Sequence, residues 1–132
     1  MAGLFLGFLI GQSYTLNKGE TNNEVSGEIA SLMLDFADGR VNTYNEIPIT
    51  QTDTVFEITK RIAEENNIEF AFDDYGDLGK LISKIEDKEG GQENKYWQYW
   101  VNNVSPSIGA DAYIVSPGDV IEWKFIQYIG DE

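Results

Sequence analysis

Two stretches of this 132-residue sequence carry side chains whose types and spacing can do chemistry. In "DDYGD", Asp73, Asp74 and Asp77 fall in a glycine-containing loop, and calcium and other hard cations prefer such oxygen ligands. The spacing departs from the D-x-[DN]-x-[DN]-G order of an EF-hand, so a solvated acidic loop is the plainer reading and calcium the weaker one. The run "EDKEGGQE" (Glu86, Asp87, Glu89, Glu93) is a weaker candidate still. In "KYWQYWVNN", residues 95–103, four aromatic rings occupy five consecutive positions. Side chains alternate along a strand, so Tyr96 and Trp100 point one way and Trp97 and Tyr99 the other. Rings with nearby amides can form a platform for a flat or partly apolar ligand. The plainer reading is packing, one pair under a helix and the other under a loop or the N-terminal segment, because large exposed apolar patches are uncommon.

Catalysis finds little support. The sequence contains no histidine and no cysteine, which removes imidazole bases, thiolate nucleophiles, disulfides and the usual zinc ligands. No Ser-x-x-Lys spacing offers a lysine base to a serine nucleophile. Carboxylate pairs can act as acid and base, but the acidic residues here read as surface and turn positions. The glycines match no phosphate cradle, and Gly39, Gly76, Gly109 and Gly118 read as turn residues. The expectation is a protein that is not an enzyme.

The elements that position the aromatic stretch follow from hydrophobic periodicity. In "EIASLMLDF", Ala30, Leu32, Leu34 and Phe36 alternate with Ser31, Met33 and Asp35, as in a half-buried strand. Asp38-Gly39 marks a tight turn, and "VNTYNEIPI" returns as a strand whose Pro48 belongs near its end or on an edge. "TQTDTVFEITKRIAEENN" predicts a helix. Thr52 or Asp53 can cap it, Thr54 and Glu57 have capping-box spacing, and Val55, Ile58, Ile62 and Ala63 form the apolar stripe. Asn66-Asn67 suits a left-handed C-terminal cap. Beyond it, Phe70 and Phe72 alternate, "KLISKIE" reads as a short strand, and "EDKEGGQEN" reads as a polar loop. Residues 112–115 suggest another short strand. "DVIEWKFIQ" closes the pattern, with Ile121, Trp123 and Phe125 on one face and Val120, Glu122, Lys124 and Ile126 on the other. This order predicts an α+β fold, β-grasp-like, with one helix packed across one face of a mostly antiparallel sheet.

Charge and length bound the rest. One domain fits the length. With 23 acidic against 9 basic residues and a net charge of −14, the surface repels phosphate backbones and anionic lipid, so no nucleic-acid partner is expected. Residues 1–12, including "MAGLFLGFLIG", are apolar but too few to span a bilayer alone, and they lack a basic n-region. They read as the end of a signal or membrane anchor whose first turns lie upstream of Met1, with a docked strand or helix as the alternative. Residues 13–27 read as a polar linker and residues 28–132 as the folded domain. That organisation implies an extracytoplasmic location, at the cell surface, membrane-anchored or secreted, with membrane contact only through the anchor.

The segments "TVFEITKRIAEENNIEF", "YWQYWVNN", "GADAY" and "PGDVIEWKF" together resemble the bacterial members of the transcobalamin-like C-terminal domain family, a domain of unknown function. The resemblance runs from about Ile29 to Gln127. It implies a β-grasp-like domain related to the sheet domains that follow the helical barrel in animal cobalamin carriers, where the small domain closes over one face of a corrinoid. No barrel is present in these residues. The family usually has Asn-Gly after the aromatic strand, where this sequence has Asn102-Asn103, and both residues tolerate left-handed turn angles. No histidine is available to ligate cobalt, so a corrinoid such as cobalamin would be held by packing and hydrogen bonds.

Partner strands settle the expected orientation. Trp97, Tyr99 and Val101 match Ile121, Trp123 and Phe125 and go to the core, which leaves Tyr96, Gln98 and Trp100 on the far face beside Glu122 and Lys124. The candidate ligand-binding residues are Tyr96, Gln98, Trp100, Asn102 and Tyr113. The expected function is binding of a corrinoid or similar flat small molecule. The alternative is a surface or adhesion module that presents the same aromatic face to protein or carbohydrate.

Overall fold

The alternation read from Glu28 onward becomes strand β1 (Ile29–Asp35) of the computed structural model, with Ala30, Leu32 and Leu34 buried on one face. The structure describes residues 28–128, so the anchor and linker expected over 1–12 and 13–27 lie outside the described residues. Strand β2 (Val41–Pro48) follows the Asp38-Gly39 turn, where Gly39 takes the left-handed φ of +98° that the turn requires. Helix α1 (Val55–Glu65) comes next, then β3 (Phe70–Asp74), β4 (Lys80–Ile85), β5 (Lys88–Glu89), β6 (Lys95–Val101) and β7 (Val120–Gln127).

The strands form two sheets. One has four strands in the order β2-β1-β7-β6, and the other has three in the order β3-β4-β5. All neighbours are antiparallel except β1 and β7, which run parallel with Leu32 opposite Ile121 and Leu34 opposite Trp123. The architecture is therefore α+β, with one α-helix among the described residues. The expected single sheet is divided: β3 and β4 pair as a separate hairpin, and the turn between them holds Gly76 and Gly79, both at positive φ. Pro48 ends β2, an edge strand, where its missing N–H leaves no ladder bond unmade.

Helix α1 begins as its capping box predicts. The Thr54 hydroxyl accepts from the Glu57 amide at 3.2 Å, and the Glu57 carboxylate accepts from the Thr54 amide at 3.1 Å. Asn66 caps the other end, and Asn67 takes a φ of +55°. The buried helix face holds Val55, Ile58, Ile62 and Ala63, joined by Phe56 and Thr59. Phe56 meets Phe72 edge-on, with centroids 4.8 Å apart, and so ties the helix to the smaller sheet. Thr59 ties it to the larger one: its hydroxyl accepts from Trp123 Nε1 at 2.8 Å and donates to the Val55 carbonyl at 2.8 Å. A buried indole N–H is thereby satisfied.

Two expectations give way. Residues 112–115 form no strand. The Tyr113 carbonyl accepts from Val55 N–H, the Val115 N–H donates to the Asp53 carbonyl, and Thr54 and Ile114 make a single bridge. The segment is spent on the helix entrance rather than on a sheet. The polar loop "EDKEGGQEN" contains β5 and a 3₁₀ turn at Gln92–Asn94. Among the described residues, no helix is long and apolar enough to cross a membrane.

Candidate functional site

The aromatic strand β6 is one of the two outer strands of the larger sheet and, among the described strands, pairs with β7. Register fixes its two faces. Trp97, Tyr99 and Val101 stand opposite Phe125, Trp123 and Ile121, and Trp97 and Val101 are buried in the core as predicted. Trp97 packs edge-on against Phe36 at 5.5 Å, and its Nε1 donates to the Lys88 carbonyl at 2.9 Å. Tyr99 lies 5.3 Å from Trp123, and its hydroxyl donates to the Ile108 carbonyl at 2.6 Å. Burial, followed by the charges of Tyr113 and Asp111, pushes the Tyr99 phenol up to about 12.

On the far face, Trp100 is half-buried beneath a side chain of its own sheet. Lys124 Nζ lies 4.8 Å from its ring centroid and 3.8 Å from the Glu122 carboxylate. The Gln98 amide donates to the carbonyls of Ile126 and Gln127 at 3.2 and 3.1 Å. Tyr96 is different: it is 44% exposed, with its ring against the backbone of Gly90. A Cβ at Gly90 would stand 3.3 Å from Tyr96 Cδ1, so the absent side chain lets the ring lie there.

The opening on this part of the strand is a trough of about 410 Å³, almost wholly apolar, lined by Leu81, Tyr96, Trp97, Gln98 and Tyr128. A smaller hollow of about 170 Å³ shares Leu81, Tyr96 and Trp97 with it and extends it toward Asp73 and Ser83. Leu81 and Tyr128 are 56% and 73% exposed, which is high for such large apolar side chains. Sequence reasoning missed both. Leu81 reads as one apolar residue of a short strand, and Tyr128 lies past the last periodic position; the approach of the smaller sheet brings Leu81 to Tyr96, and the β6–β7 ladder, which pairs Lys95 with Gln127, brings Tyr128 there.

The other candidates divide. Asn102 is committed within the fold: its Nδ2 donates to the Asp119 carboxylate Oδ1 and its Oδ1 accepts from Val120 N–H, both at 2.9 Å. Asn102 and Asn103 take φ of +53° and +68° between the mutually bonded Val101 and Val104, a tight turn of the kind the Asn pair predicts. Tyr113 sits on the core side, edge-on to Tyr99 at 6.3 Å, and is not brought together with Tyr96, Gln98 and Trp100. Asp111 of "GADAY" accepts from the Lys80 amide at 3.1 Å.

The acidic loop does not converge. Asp73 and Asp74 are successive residues of β3 and project to opposite sides, Asp74 Oδ1 accepts from the Gly76 amide at 2.9 Å, and Asp77 lies in the following 3₁₀ turn. Among the described residues, no group of three or more histidine, cysteine or acidic side chains is placed to hold a metal ion. Asp87 and Asp38 instead flank Arg40, at 2.7 and 2.8 Å, and the guanidinium holds both carboxyls below their ordinary range.

No curated protein matches the chain. Among solved structures, it is similar to a protein of Ruminococcus gnavus ATCC 29149 described as a candidate metal-binding protein, with a TM-score of 0.57 and 17% identity over 76% of this chain and 97% of that one. It is also similar to haptocorrin in complex with Cbi, with a TM-score of 0.67 and 16% identity over 76% of this chain. The chain spans about a quarter of haptocorrin, 25% of its length. At these identities the likeness is one of fold. The family model for a domain of unknown function, DUF4430, matches residues 52–127, from the helix cap through the aromatic strand to the last strand, and the chain belongs to that family.

Proposed function

We propose that this chain is a non-catalytic binding domain that holds a corrinoid or a similarly flat, partly apolar molecule at the trough beside β6. The observation that carries this reading is the trough itself. It is open and apolar, lined by Tyr96, Tyr128 and Leu81 together with Trp97 and Gln98. Its volume of about 410 Å³ falls within the roughly 300–1,000 Å³ usual for small-molecule sites. The solved complex of haptocorrin, a fold neighbour, contains Cbi (cobinamide), which supports trying that ligand class first. With no histidine in the sequence, such a ligand is gripped by ring packing and amide hydrogen bonds rather than through its metal. A β-grasp-like description suits the arrangement, with the first and last described strands side by side at the sheet centre and one helix across it. The apolar residues 1–12 and polar residues 13–27 favour an extracytoplasmic, tethered setting.

The test is a spectral titration of the full chain with cobinamide and with cobalamin. Saturable shifts at micromolar concentration, weakened by Tyr96→Ala, are expected. No response to either compound refutes the corrinoid reading. The rival, a surface module using the same exposed rings against protein or carbohydrate, is favoured if the chain self-associates or binds a surface glycan in a Tyr96-dependent manner instead.

A further inference from the structure

A second cleft opens on the other side of the molecule, where edge strand β2 passes helix α1. Its volume is about 470 Å³, and Tyr44, Glu46, Pro48, Arg61, Ile62 and Glu65 are among the residues that line it. A β-bulge shapes it. Ala30 pairs with Ile47 and Leu32 with Tyr44, so Asn45 and Glu46 together face Ser31 alone, and Glu46 takes a φ of +56°.

The charges in the cleft are unequally compensated. Arg61 is already committed: it contacts the Asp53 carboxylate at 2.9 Å and donates to the Pro48 carbonyl at 3.0 Å. Asp53 is largely buried and offsets the guanidinium charge inside the fold. Glu46 and Glu65 are exposed, and among the described residues neither carboxylate has an ion-pair partner. Two uncompensated carboxylates therefore share one concavity with an aromatic ring and the apolar surfaces of Pro48 and Ile62. That combination suits a cation with an apolar body: the carboxylates attract the charge, the ring face stabilises it, and the walls take the carbon skeleton. An anion is repelled by both glutamates, and a bare metal ion gains nothing from the apolar walls.

We propose that this cleft is a binding site for a small organic cation of the alkylammonium class, with Glu46 and Glu65 as counter-charges and Tyr44 as the aromatic wall. It is separate from the trough beside β6, so the two readings stand or fall independently.

Calorimetric titration of the full chain with choline and with its neutral isostere 3,3-dimethyl-1-butanol tests it. Choline is expected to give a saturable heat, and the alcohol to bind about tenfold more weakly or not at all. The double variant Glu46→Gln, Glu65→Gln is expected to lose about tenfold in choline affinity, while Tyr96→Ala leaves it unchanged. Glu46→Gly guards against a misfolded variant, since it relieves the left-handed backbone: it is expected to raise the melting temperature while weakening choline binding. The proposal is overturned if choline gives no saturable heat up to about 10 mM, an affinity too weak to matter. Equal binding of the neutral alcohol, or undiminished binding by the double variant, also overturns it.

Discussion

Replacing Thr59 by valine isolates one buried hydrogen bond. Thr59 is 2% exposed, and its hydroxyl accepts from Trp123 Nε1 at 2.8 Å, 64 residues away in sequence. Valine has nearly the same shape, so packing is kept while the indole N–H loses its acceptor inside the core. Leaving a buried donor unpaired costs about 1–3 kcal/mol. The methyl that replaces the hydroxyl returns about 0.8 kcal/mol of apolar transfer, so the net loss is about 0.2–2 kcal/mol. For a domain of this size each kcal/mol lowers Tm by about 4–8 °C. Urea unfolding followed by tryptophan fluorescence measures the cost, and a double-mutant cycle with Trp123→Phe assigns it. Once Trp123 is gone, Thr59→Val is expected to be close to neutral, giving a coupling of about 1 kcal/mol. Thr59→Ser keeps the acceptor and loses only a methyl group, so its cost is the same in both backgrounds. An equal cost for Thr59→Val with and without Trp123 would refute the claim that this bond ties helix to sheet.

Three further outcomes are expected. Asn103→Gly stabilises by about 0.5–1 kcal/mol because glycine accepts its left-handed angle without strain, whereas Asn102→Gly destabilises because the amide clamp on Asp119 and Val120 is lost; paired thermal melts compare them. For Asp53, burial raises the carboxyl pKa, but the Arg61 contact and the Thr50 amide outweigh it, and the folded-state value lies below the ordinary one. Its contribution is therefore present above about pH 4 and lost as pH falls through the lowered folded value; Asp53→Asn should lower stability at pH 7 and flatten that part of the acid limb of the urea midpoint. Tyr99, pushed up to about 12, contributes stability that is complete below about pH 10 and is lost as pH rises toward its folded value. Tyr99→Phe should flatten that alkaline loss, and absorbance titration should show one late-ionising tyrosine in the parent that the variant lacks.

The parts of the fold that could be read directly are those with one unbroken period. Ala30, Leu32 and Leu34, then Ile121, Trp123 and Phe125, alternate cleanly because each strand has one buried face. The helix start was equally legible, since Thr54 and Glu57 carry the capping geometry in their own side chains. The smaller sheet was obscure: β3 is five residues long, its register with β4 shifts between Ala71 and Phe72, and the far strand β5 has two residues. No period survives in segments so short. The adjacency of β1 and β7 is likewise invisible to a local pattern, because it joins residues about 90 positions apart, such as Leu32 and Ile121. The site was legible in part for the same reason. Tyr96 follows from strand alternation, but Leu81 reaches it only through the meeting of two sheets, and Tyr128 through the pairing of β6 with β7. The polar motifs misled in the other direction. Asn102 looks like an offered amide, and its hydrogen bonds show it holding the Asp119 carboxylate and the Val120 backbone of its own chain.

The parallel pairing of β1 and β7 also determines how the domain bears mechanical load. Glu28 enters at the start of β1 and Tyr128 leaves at the end of β7, so the two attachment points sit at opposite poles of the central strand pair. Tension applied through them slides one strand along the other, and the ladder from Ser31–Val120 to Asp35–Lys124 carries the force as a set. An antiparallel pair pulled from adjacent ends would peel open one bond at a time. A module held at one end and tugged at the other would here resist as a shear joint, with the flanking strands β2 and β6 keeping its two halves in line.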